Sequence, residues 1–199
     1  GNAPSQLIRS LQQTRDGWLW IGTEDLGLAR ARLGADGNLH GLLQLDASQG
    51  LPDDVIHQIL PDASGKLWIN SNRGIFRLDP ARLSQLGETP LPVLALDARD
   101  GLFEPEGNGG FHAAGFVDAD GKLWLPGQGG VTGIDPAKFV EPVPPLPPTI
   151  VLTAQDGHAL ADGERIAAHA PRRLAALIRT PRFSHPERLR YRWRIVGLD

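Results

Sequence analysis

The feature of this sequence that most restricts its fold is a segment that occurs three times, each copy centred on a tryptophan. The tryptophans are Trp20, Trp68 and Trp124, which are 48 and 56 residues apart. In the second and third copies, a glycine follows six residues after the tryptophan and an Asp-Pro pair begins eleven residues after it. Repeats of roughly 40–50 residues, each holding four short strands, are typical of β-propeller blades. The repeat therefore predicts an all-β chain built from such blades.

The apolar pattern within each copy predicts strands that are covered on both faces. An apolar run precedes a Ser-Gly or Asp-Gly pair, which favours a tight hairpin turn. In the following strand, Leu67 and Ile69 point to one face and Trp68 to the other. A blade stacked between two blades provides cover on both sides. We therefore expect the three tryptophans to be buried at equivalent positions, and four-stranded antiparallel units around the residues 5–46, 52–98 and 102–140.

Composition fits this fold and narrows the classes of partner. The 24 glycines and 17 prolines suit many short strands joined by turns. The net charge is −3 and no basic run is present, so we expect no nucleic-acid partner. No apolar stretch approaches the ~18 residues needed to span a bilayer, so any membrane attachment is expected through a segment outside this chain. Without cysteine there is no disulfide and no thiolate chemistry.

The three copies resemble the two-component regulator propeller repeats. Their consensus is similar to Asp-x-x-Gly-x-Leu-Trp-Ile-Gly-Thr followed by Gly-Leu, and the first copy follows it from Gly17 to Leu28, with Thr14 at the place of the aspartate. The second copy is preceded by Gly-Leu-Pro-Asp-Asp at residues 50–54, and the resemblance covers roughly residues 5–140. It implies that residues 1–140 are the C-terminal blades of a partial propeller, about three four-stranded blades in all.

The remainder of the chain is predicted to be a linker and a second domain. Residues 141–149 hold five prolines, which is typical of a stiff, extended connector. The last residues resemble the triple-tyrosine domain that follows such propellers, through Tyr191 and the run Gly197 to Asp199. The resemblance implies that residues 150–199 are the first half of an immunoglobulin-like β-sandwich. On that basis Leu174–Ile178 is predicted to be a strand, although its alanines favour helix locally.

The residues that could carry chemistry form no recognisable catalytic or metal-binding motif. The six histidines lack i, i+4 helical spacing and an accompanying acidic ligand. The Asp118-x-Asp120-Gly121 sequence is interpreted as the hairpin turn of the repeat, because it lacks the further carboxylates of a calcium loop. No nucleophile elbow or phosphate-binding loop occurs. We therefore expect no catalytic residue, metal or cofactor, and no enzymatic activity.

A ligand-binding surface is predicted on the loops that share one end of the blades. In a blade, the loop entering the inner strand and the loop after the tryptophan strand lie at the same end, and short polar groups on rigidly held loops are typical of binding sites. Glu24 and Asp25 belong to this end of the first copy. The candidate residues beyond these two are Asp53, Asp54, Asn70, Asn72, Arg73, Glu104, Glu106, Asn108 and Gln128.

These observations lead to one hypothesis of function and two alternatives. The resemblance implies that the chain is the ligand-sensing, extracytoplasmic region of a bacterial signalling receptor. The parent receptor is expected to be a homodimer anchored in the inner membrane, with this region in the periplasm. The ligand would be a small molecule or an oligosaccharide, and a histidine kinase or cyclic-dinucleotide synthase would give the output. The alternatives are a propeller lyase or hydrolase and a protein-interaction scaffold. Because three blades cannot close a ring, we expect residues 1–199 alone to be unstable or to self-associate.

Overall fold

The computed structural model describes residues 7–86, 91, 93–110, 113–140, 147–154, 157–163 and 173–180. Thirteen β-strands and three short 3₁₀ helices lie in these ranges, and they contain no α-helix. None of the helices in this part of the chain is long and apolar enough to cross a bilayer. The chain divides into two compact units, residues 1–139 and 140–199. It is thus an all-β protein, as the repeat predicts.

The first sheet, called the first blade, is a four-stranded antiparallel meander. Its strands are β1 (Ile8–Gln13), β2 (Leu19–Thr23), β3 (Leu28–Leu33) and β4 (Leu39–Leu45), hydrogen-bonded in that order. The turn between β1 and β2 places Gly17 at φ 83°, a left-handed conformation that glycine adopts without steric cost. This explains the Asp-Gly pair before the first tryptophan strand.

The second blade repeats this arrangement. Its strands are β5 (Ile56–Pro61), β6 (Leu67–Ser71), β7 (Gly74–Leu78) and β8 (Leu94–Leu96), again paired in order. Short 3₁₀ helices lie at Ala47–Gln49, Pro80–Gln85 and Ala98–Asp100. These two sheets confirm the four-stranded units predicted from the first two copies.

The third blade has three strands in the part of the chain that the structure describes. They are β9 (Phe116–Val117), β10 (Leu123–Gly127) and β11 (Gly130–Ile134), in the order β11-β10-β9. The fourth strand predicted within residues 102–140 is not among them. Beyond the two-residue β9, the inner edge of β10 pairs with a loop instead, through a bridge between Gly107 and Gly127. A loop segment therefore takes the place of a longer inner strand.

Each pair of neighbouring blades encloses an apolar core, because the tryptophan strand is apolar on both faces. Leu67 and Ile69 pack with Trp20 between the first and second blades. Trp68 points the other way and packs with Leu123 between the second and third blades. Complete burial of an aromatic or aliphatic side chain contributes roughly 1.5–3 kcal/mol. These two cores hold the blades of the first unit together as a partial β-propeller.

The third tryptophan differs from the other two in burial. Trp20 is 1% exposed and Trp68 is fully buried. Trp68 is capped by an edge-on contact with Phe139, whose ring centroid is 5.2 Å away. Trp124, by contrast, is only half-buried. The prediction that all three are buried is thus wrong for Trp124, because its face of the third blade has no further sheet packed on it among the described residues.

Polar contacts align the inner strands of neighbouring blades. The Ser10 hydroxyl accepts a hydrogen bond from the Ile59 N–H at 3.2 Å, and the Gln58 side chain accepts one from the Ala114 N–H at 3.1 Å. Ser10 and Gln58 are both almost completely buried. Buried polar groups that are paired in this way fix the position of one strand against the next.

The second unit contains one antiparallel strand pair in its described residues. β12 (Thr149–Ala154) pairs with β13 (Leu174–Arg179). The extended conformation of Leu174–Arg179 confirms the strand predicted there against local helix propensity. Most of the proline-rich segment, and Tyr191 with the Gly197 to Asp199 run, lie outside the described residues. The β-sandwich therefore stays a prediction.

Candidate functional site

One end of the blades, called the rim, gathers the loops around the starts of β1 and β5 and the ends of β2, β6 and β10. A β-bulge occurs there in each of the first two blades. The pairing of β1 with β2 shifts between Ile8 and Ser10, so Arg9 is the extra residue. The pairing of β5 with β6 shifts between Ile56 and Gln58, so His57 is the extra residue. Because such a residue leaves the ladder, its side chain can be aimed away from both sheet faces.

The first bulge residue forms an ion pair at the rim. The Arg9 Nε–H donates to the Glu24 carboxylate, and both side chains are about one-third exposed or less. This hydrogen bond is the main cause that holds the pKa of Glu24 below its usual range. Arg9 also points a guanidinium N–H at the Gly109 carbonyl oxygen, 3.5 Å away. Glu24 therefore stays ionised and keeps Arg9 directed across the rim.

The second bulge residue makes the corresponding contact with an amide side chain. The His57 Nε2 lies 2.7 Å from the Asn72 Oδ1. Because an amide oxygen only accepts, Nε2 carries the hydrogen, and in the neutral ring Nδ1 is left as an acceptor. Nδ1 is buried and has no hydrogen-bond partner among the described residues. His57 itself is 7% exposed.

The two bulge residues occupy the same position in their repeats. Arg9 and His57 both lie eleven residues before their tryptophans, and Glu24 and Asn72 both lie four residues after. The matching residues of the third copy are Ala113 and Gln128. One backbone frame thus presents an ion pair in the first blade and an imidazole–amide pair in the second.

The loop of residues 104–110 crosses the rim and is anchored to both bulges and to the third blade. Gly109 packs directly on the His57 side chain, where a Cβ would clash with it. The Gly107 N–H donates to the Ser71 carbonyl oxygen at 2.9 Å, and the Gln128 N–H to that of Glu106 at 3.1 Å. The loop is therefore held by backbone contacts, which leaves its side chains facing outward.

Three of the predicted binding residues have structural roles at the rim. The Asp53 carboxylate accepts from the Arg73 N–H at 3.0 Å, and the Asp54 carboxylate accepts from the Ala47 N–H at 2.8 Å. Asn70 is 1% exposed, and its amide donates to the Pro126 carbonyl oxygen. These side chains bridge loops and blades.

The other six predicted residues are exposed on the rim and share its surface with a small cavity. They are Asn72, Arg73, Glu104, Glu106, Asn108 and Gln128. The cavity has a volume of about 190 Å³ and lies between Phe103–Glu104 and the β10–β11 hairpin. Phe103 is 90% exposed. The rim therefore offers exposed polar groups, one exposed aromatic ring and a concave surface.

The opposite end of the blades holds a larger cavity of about 590 Å³, lined by the hairpin turns. Its carboxylates are already engaged. Asp62 and Asp118 each accept from backbone N–H groups of their own turn and from the indole N–H of Trp68 and Trp124, at 2.9 and 2.8 Å. The indole hydrogen bond is the main cause that lowers the pKa of Asp118. This agrees with interpreting Asp118-x-Asp120-Gly121 as a turn.

Within the described ranges, no three histidine, cysteine or acidic side chains are placed to hold a metal ion. His112, His169 and His185 lie outside those ranges. Three residues at the rim were not among the site residues predicted from the sequence. They are Arg9, His57 and Phe103. A β-bulge does not alter the apolar pattern of the sequence, so Arg9 is indistinguishable there from an ordinary strand residue. Its position eleven residues before Trp20, which matches that of His57 before Trp68, could have identified it.

Two segments of the chain, residues 2–25 and 50–73, match the family model of the two component regulator propeller. No curated protein sequence matches the chain. The chain is similar to a solved extracellular domain of a B. thetaiotaomicron protein assigned as a hybrid two component system. The identity is 25%, the TM-score is 0.52, and the match covers 69% of this chain and 18% of that one.

Further solved structures show weaker or overlapping likeness. A second structure of that extracellular domain, assigned there to a one component system, is 25% identical with a TM-score of 0.52, and the match covers 67% of this chain and 17% of that one. A streptogramin B lyase is 13% identical with a TM-score of 0.42, covering 67% of this chain and 42% of that one. The chain thus spans less than one-fifth of the length of the extracellular domain in these two B. thetaiotaomicron structures.

Proposed function

We propose that this chain is part of the ligand-sensing, extracytoplasmic region of a bacterial signal-transduction receptor, and that its rim binds a small molecule or an oligosaccharide. The observation that carries the proposal is the repeated bulge. It presents Arg9 with Glu24 in the first blade, and at the equivalent position of the second blade the buried His57 holds the exposed Asn72 side chain in place. Different polar groups at one repeated position of a fixed scaffold are what recognition of an asymmetric ligand requires.

The comparisons support the signalling part of this proposal. The chain carries two segments that match the two component regulator propeller, and it resembles the extracellular domain of a protein assigned as a hybrid two component system. We further propose that this region lies in the periplasm and that its parent protein is a homodimer anchored in the inner membrane, with a kinase or cyclic-dinucleotide output. The domain proposed for residues 150–199, a sandwich that relays the signal, rests on the resemblance of the last residues to the triple-tyrosine domain.

The hydrogen bonding and burial of the two His57 ring nitrogens favour binding over catalysis at the rim. The His57 Nε2 is occupied by the Asn72 amide, and Nδ1 is buried against the loop that contains Gly109. A general base needs a nitrogen within hydrogen-bond reach of the substrate. In this arrangement neither nitrogen of His57 is accessible to a substrate, so a lyase or hydrolase reaction at His57 is disfavoured.

The test is a melting-temperature screen of the parent protein's extracytoplasmic region against sugars, amino acids and organic acids, because residues 1–199 alone are expected to be unstable. A ligand that binds the folded rim raises the melting temperature, because it stabilises the folded state by RT ln(1 + [L]/Kd). We expect the shift to be lost in Arg9→Ala and His57→Ala and kept in Arg15→Ala, which removes an exposed arginine at the opposite end. A shift that is insensitive to both rim variants, or turnover of the ligand, would contradict the proposal.

A further inference from the structure

The rim loop contains the one Asn-Gly dipeptide of the sequence, Asn108-Gly109. The amide carbon of an asparagine side chain can reach the nitrogen of the next residue and close a five-membered ring with it. A glycine in the next position has no Cβ to obstruct this closure. The other four asparagines are followed by alanine, leucine, serine or arginine. Asn108 is therefore the asparagine at which a reaction with the backbone meets the least steric hindrance.

Both groups that would react are uncommitted in the described part of the chain. The Asn108 side chain is exposed, and its amide has no hydrogen-bond partner among the described residues. The Gly109 N–H is buried and donates to no acceptor in the described ranges, whereas the N–H groups of Gly107 and Asn108 are both paired. The attacking nitrogen and the carbon it would attack thus need no hydrogen bond to be broken first.

A buried base lies against the Gly109 peptide. The His57 Nδ1 is buried without a hydrogen-bond partner among the described residues. A Cβ at Gly109 would lie 3.1 Å from this nitrogen and 2.4 Å from the His57 Cβ. The Asn72 amide oxygen, 2.7 Å from Nε2, keeps the hydrogen there, so the lone pair of the neutral ring is on Nδ1. Because the loop covers Nδ1, the group this base faces is the loop's own backbone.

The carbonyl of the same peptide group faces a hydrogen-bond donor. The Asn70 side-chain amide approaches the Asn108 carbonyl oxygen at 3.4 Å. This oxygen and the Gly109 nitrogen belong to one peptide group, so negative charge left on the nitrogen after loss of its proton is shared with the oxygen. A fixed donor at that oxygen stabilises the charge as it develops. His57 and Asn70 therefore lie at the two polar atoms of the peptide group that would act as nucleophile.

We propose that Asn108 is a site of intramolecular deamidation, with His57 as the general base. The His57 Nδ1 takes the Gly109 amide proton, the Gly109 nitrogen bonds to the Asn108 Cγ, and the bond from Cγ to Nδ2 breaks. The leaving nitrogen takes up the proton from His57 and departs as ammonia, which leaves a succinimide. One water molecule then adds to either succinimide carbonyl and gives aspartate or isoaspartate at position 108.

The reaction changes the rim irreversibly. Either product replaces a neutral amide by a carboxylate, on a loop that already carries the exposed Glu104 and Glu106. In isoaspartate the main chain runs through the former side chain, so the carbonyl group that Asn70 contacts becomes a free carboxylate outside the main chain. The modification goes beyond the proposed ligand binding and does not depend on it, since it needs water and no ligand.

Peptide mass spectrometry of the parent protein's extracytoplasmic region, incubated at neutral pH, measures the conversion of Asn108. Labelling by an isoaspartate methyltransferase identifies the isoaspartate product. The reference is the same protein unfolded in urea, where the Asn-Gly sequence reacts without His57 beside it. Because general-base catalysis contributes about a hundredfold, we expect Asn108 to convert faster in the folded protein by about that factor. The exposed Asn38 should stay unconverted over the same period.

The dependence on buffer distinguishes an internal base from the solvent. In urea the proton passes to buffer base, so the rate should rise with buffer concentration. In the folded protein His57 takes the proton, and the rate should not depend on the buffer. A loop that merely holds Asn108 in a reactive conformation would keep the buffer dependence.

Two variants remove the base and one is the control. His57→Phe keeps a ring against the loop, and His57→Gln keeps a polar side chain; both should slow conversion by about a hundredfold and make it depend on buffer. Gly110→Ala places a methyl group where nothing lies within 4 Å, so it should convert as the unmodified protein does. Melting curves show which variants are folded.

The assignment is overturned if Asn108 converts no faster in the folded protein than in urea, or if its conversion in the folded protein rises with buffer concentration. It is equally overturned if folded His57→Phe and His57→Gln convert at the rate of the unmodified protein. Where neither variant folds, the two measurements on the unmodified protein decide.

Discussion

The Asn70 side-chain amide donates a hydrogen bond to the Pro126 carbonyl oxygen, 2.9 Å away, and the two residues occupy the same position in their blades, two residues after the tryptophan. The same amide approaches the Asn108 carbonyl oxygen at 3.4 Å. One buried side chain thus joins the second blade to both the third blade and the rim loop. In the first blade the equivalent residue is Gly22, where a Cβ would lie 2.6 Å from the Ile56 side chain.

Replacing Asn70 by alanine should lower the free energy of unfolding by about 1–3 kcal/mol, since it leaves buried backbone acceptors without their donor. Urea denaturation followed by tryptophan fluorescence measures this. Gln128→Ala, on the exposed hairpin of the third blade, is the control and should change stability by less than about 0.5 kcal/mol. Equal midpoints for the two variants would show that the bridge contributes nothing.

The tryptophans should differ in their contribution to stability. Trp68→Ala removes a fully buried ring from the core between two blades and should cost about 3–5 kcal/mol. Trp124→Ala removes a half-buried ring and should cost clearly less. The comparison is made by denaturation monitored by far-ultraviolet circular dichroism, which does not depend on the deleted chromophore. Equal costs would mean that the outer face of the third blade is covered in solution.

Adjacent glycines in the rim loop provide a matched pair of variants. Gly109→Ala places a methyl group where it clashes with the His57 side chain, whereas a Cβ at Gly110 meets nothing within 4 Å. We expect Gly109→Ala to shift the His57 imidazole resonances and to lower the melting temperature, and Gly110→Ala to do neither. Unchanged imidazole resonances in Gly109→Ala would contradict the packing of the loop on His57.

The Arg9–Glu24 pair should give stability a defined pH dependence. Its hydrogen bond lowers the pKa of Glu24, so the folded state binds the proton less readily than the unfolded state, whose glutamate pKa is about 4.3. The contribution is therefore complete above that pH and is lost as the pH falls through the folded pKa.

The difference in unfolding free energy between the unmodified chain and Glu24→Gln measures this effect between neutral and acidic pH. It should be constant near neutral pH and shrink on acidification, while the difference for the Gln128→Ala control, which removes an exposed group that does not titrate, stays level. Because other carboxylates titrate in both proteins, only the difference is informative. A difference that does not change with pH would show that the pair is absent in solution.

The fold was predictable because its determinants are local and repeated. The Asp-Gly and Ser-Gly turns, the alternation of Leu67, Trp68 and Ile69, and the spacing of the tryptophans fix strands and faces without knowledge of distant contacts. The half-burial of Trp124 was not predictable from the repeat, because burial depends on what packs over a sheet and not on the strand's own residues. The short β9 depends likewise on a loop that pairs with β10 through Gly107.

The position of the rim loops was predictable from the sequence, but the exposure of the individual side chains on them was not. The position of loops at one end of a blade follows from the strand order, so the rim loops could be named. Which polar side chains face solvent there depends on hydrogen bonds between residues far apart in sequence, such as Asp53 with the Arg73 N–H and Asn70 with Pro126. Arg9 was not predicted because a β-bulge depends on the register between two strands, and the type of a residue does not indicate that register.

The two bulges also separate two requirements that usually compete in a repeated fold, namely packing between blades and variation of the side chain at the surface. A residue in the ladder must suit the sheet packed against it, whereas Arg9, His57 and the equivalent Ala113 are three unlike side chains at one repeat position. Substitution there leaves the apolar cores between blades untouched. The first and second blades thus each carry one rim position at which the side chain can change without repacking the cores, so single replacements could alter the polar groups of the rim while the architecture stays the same.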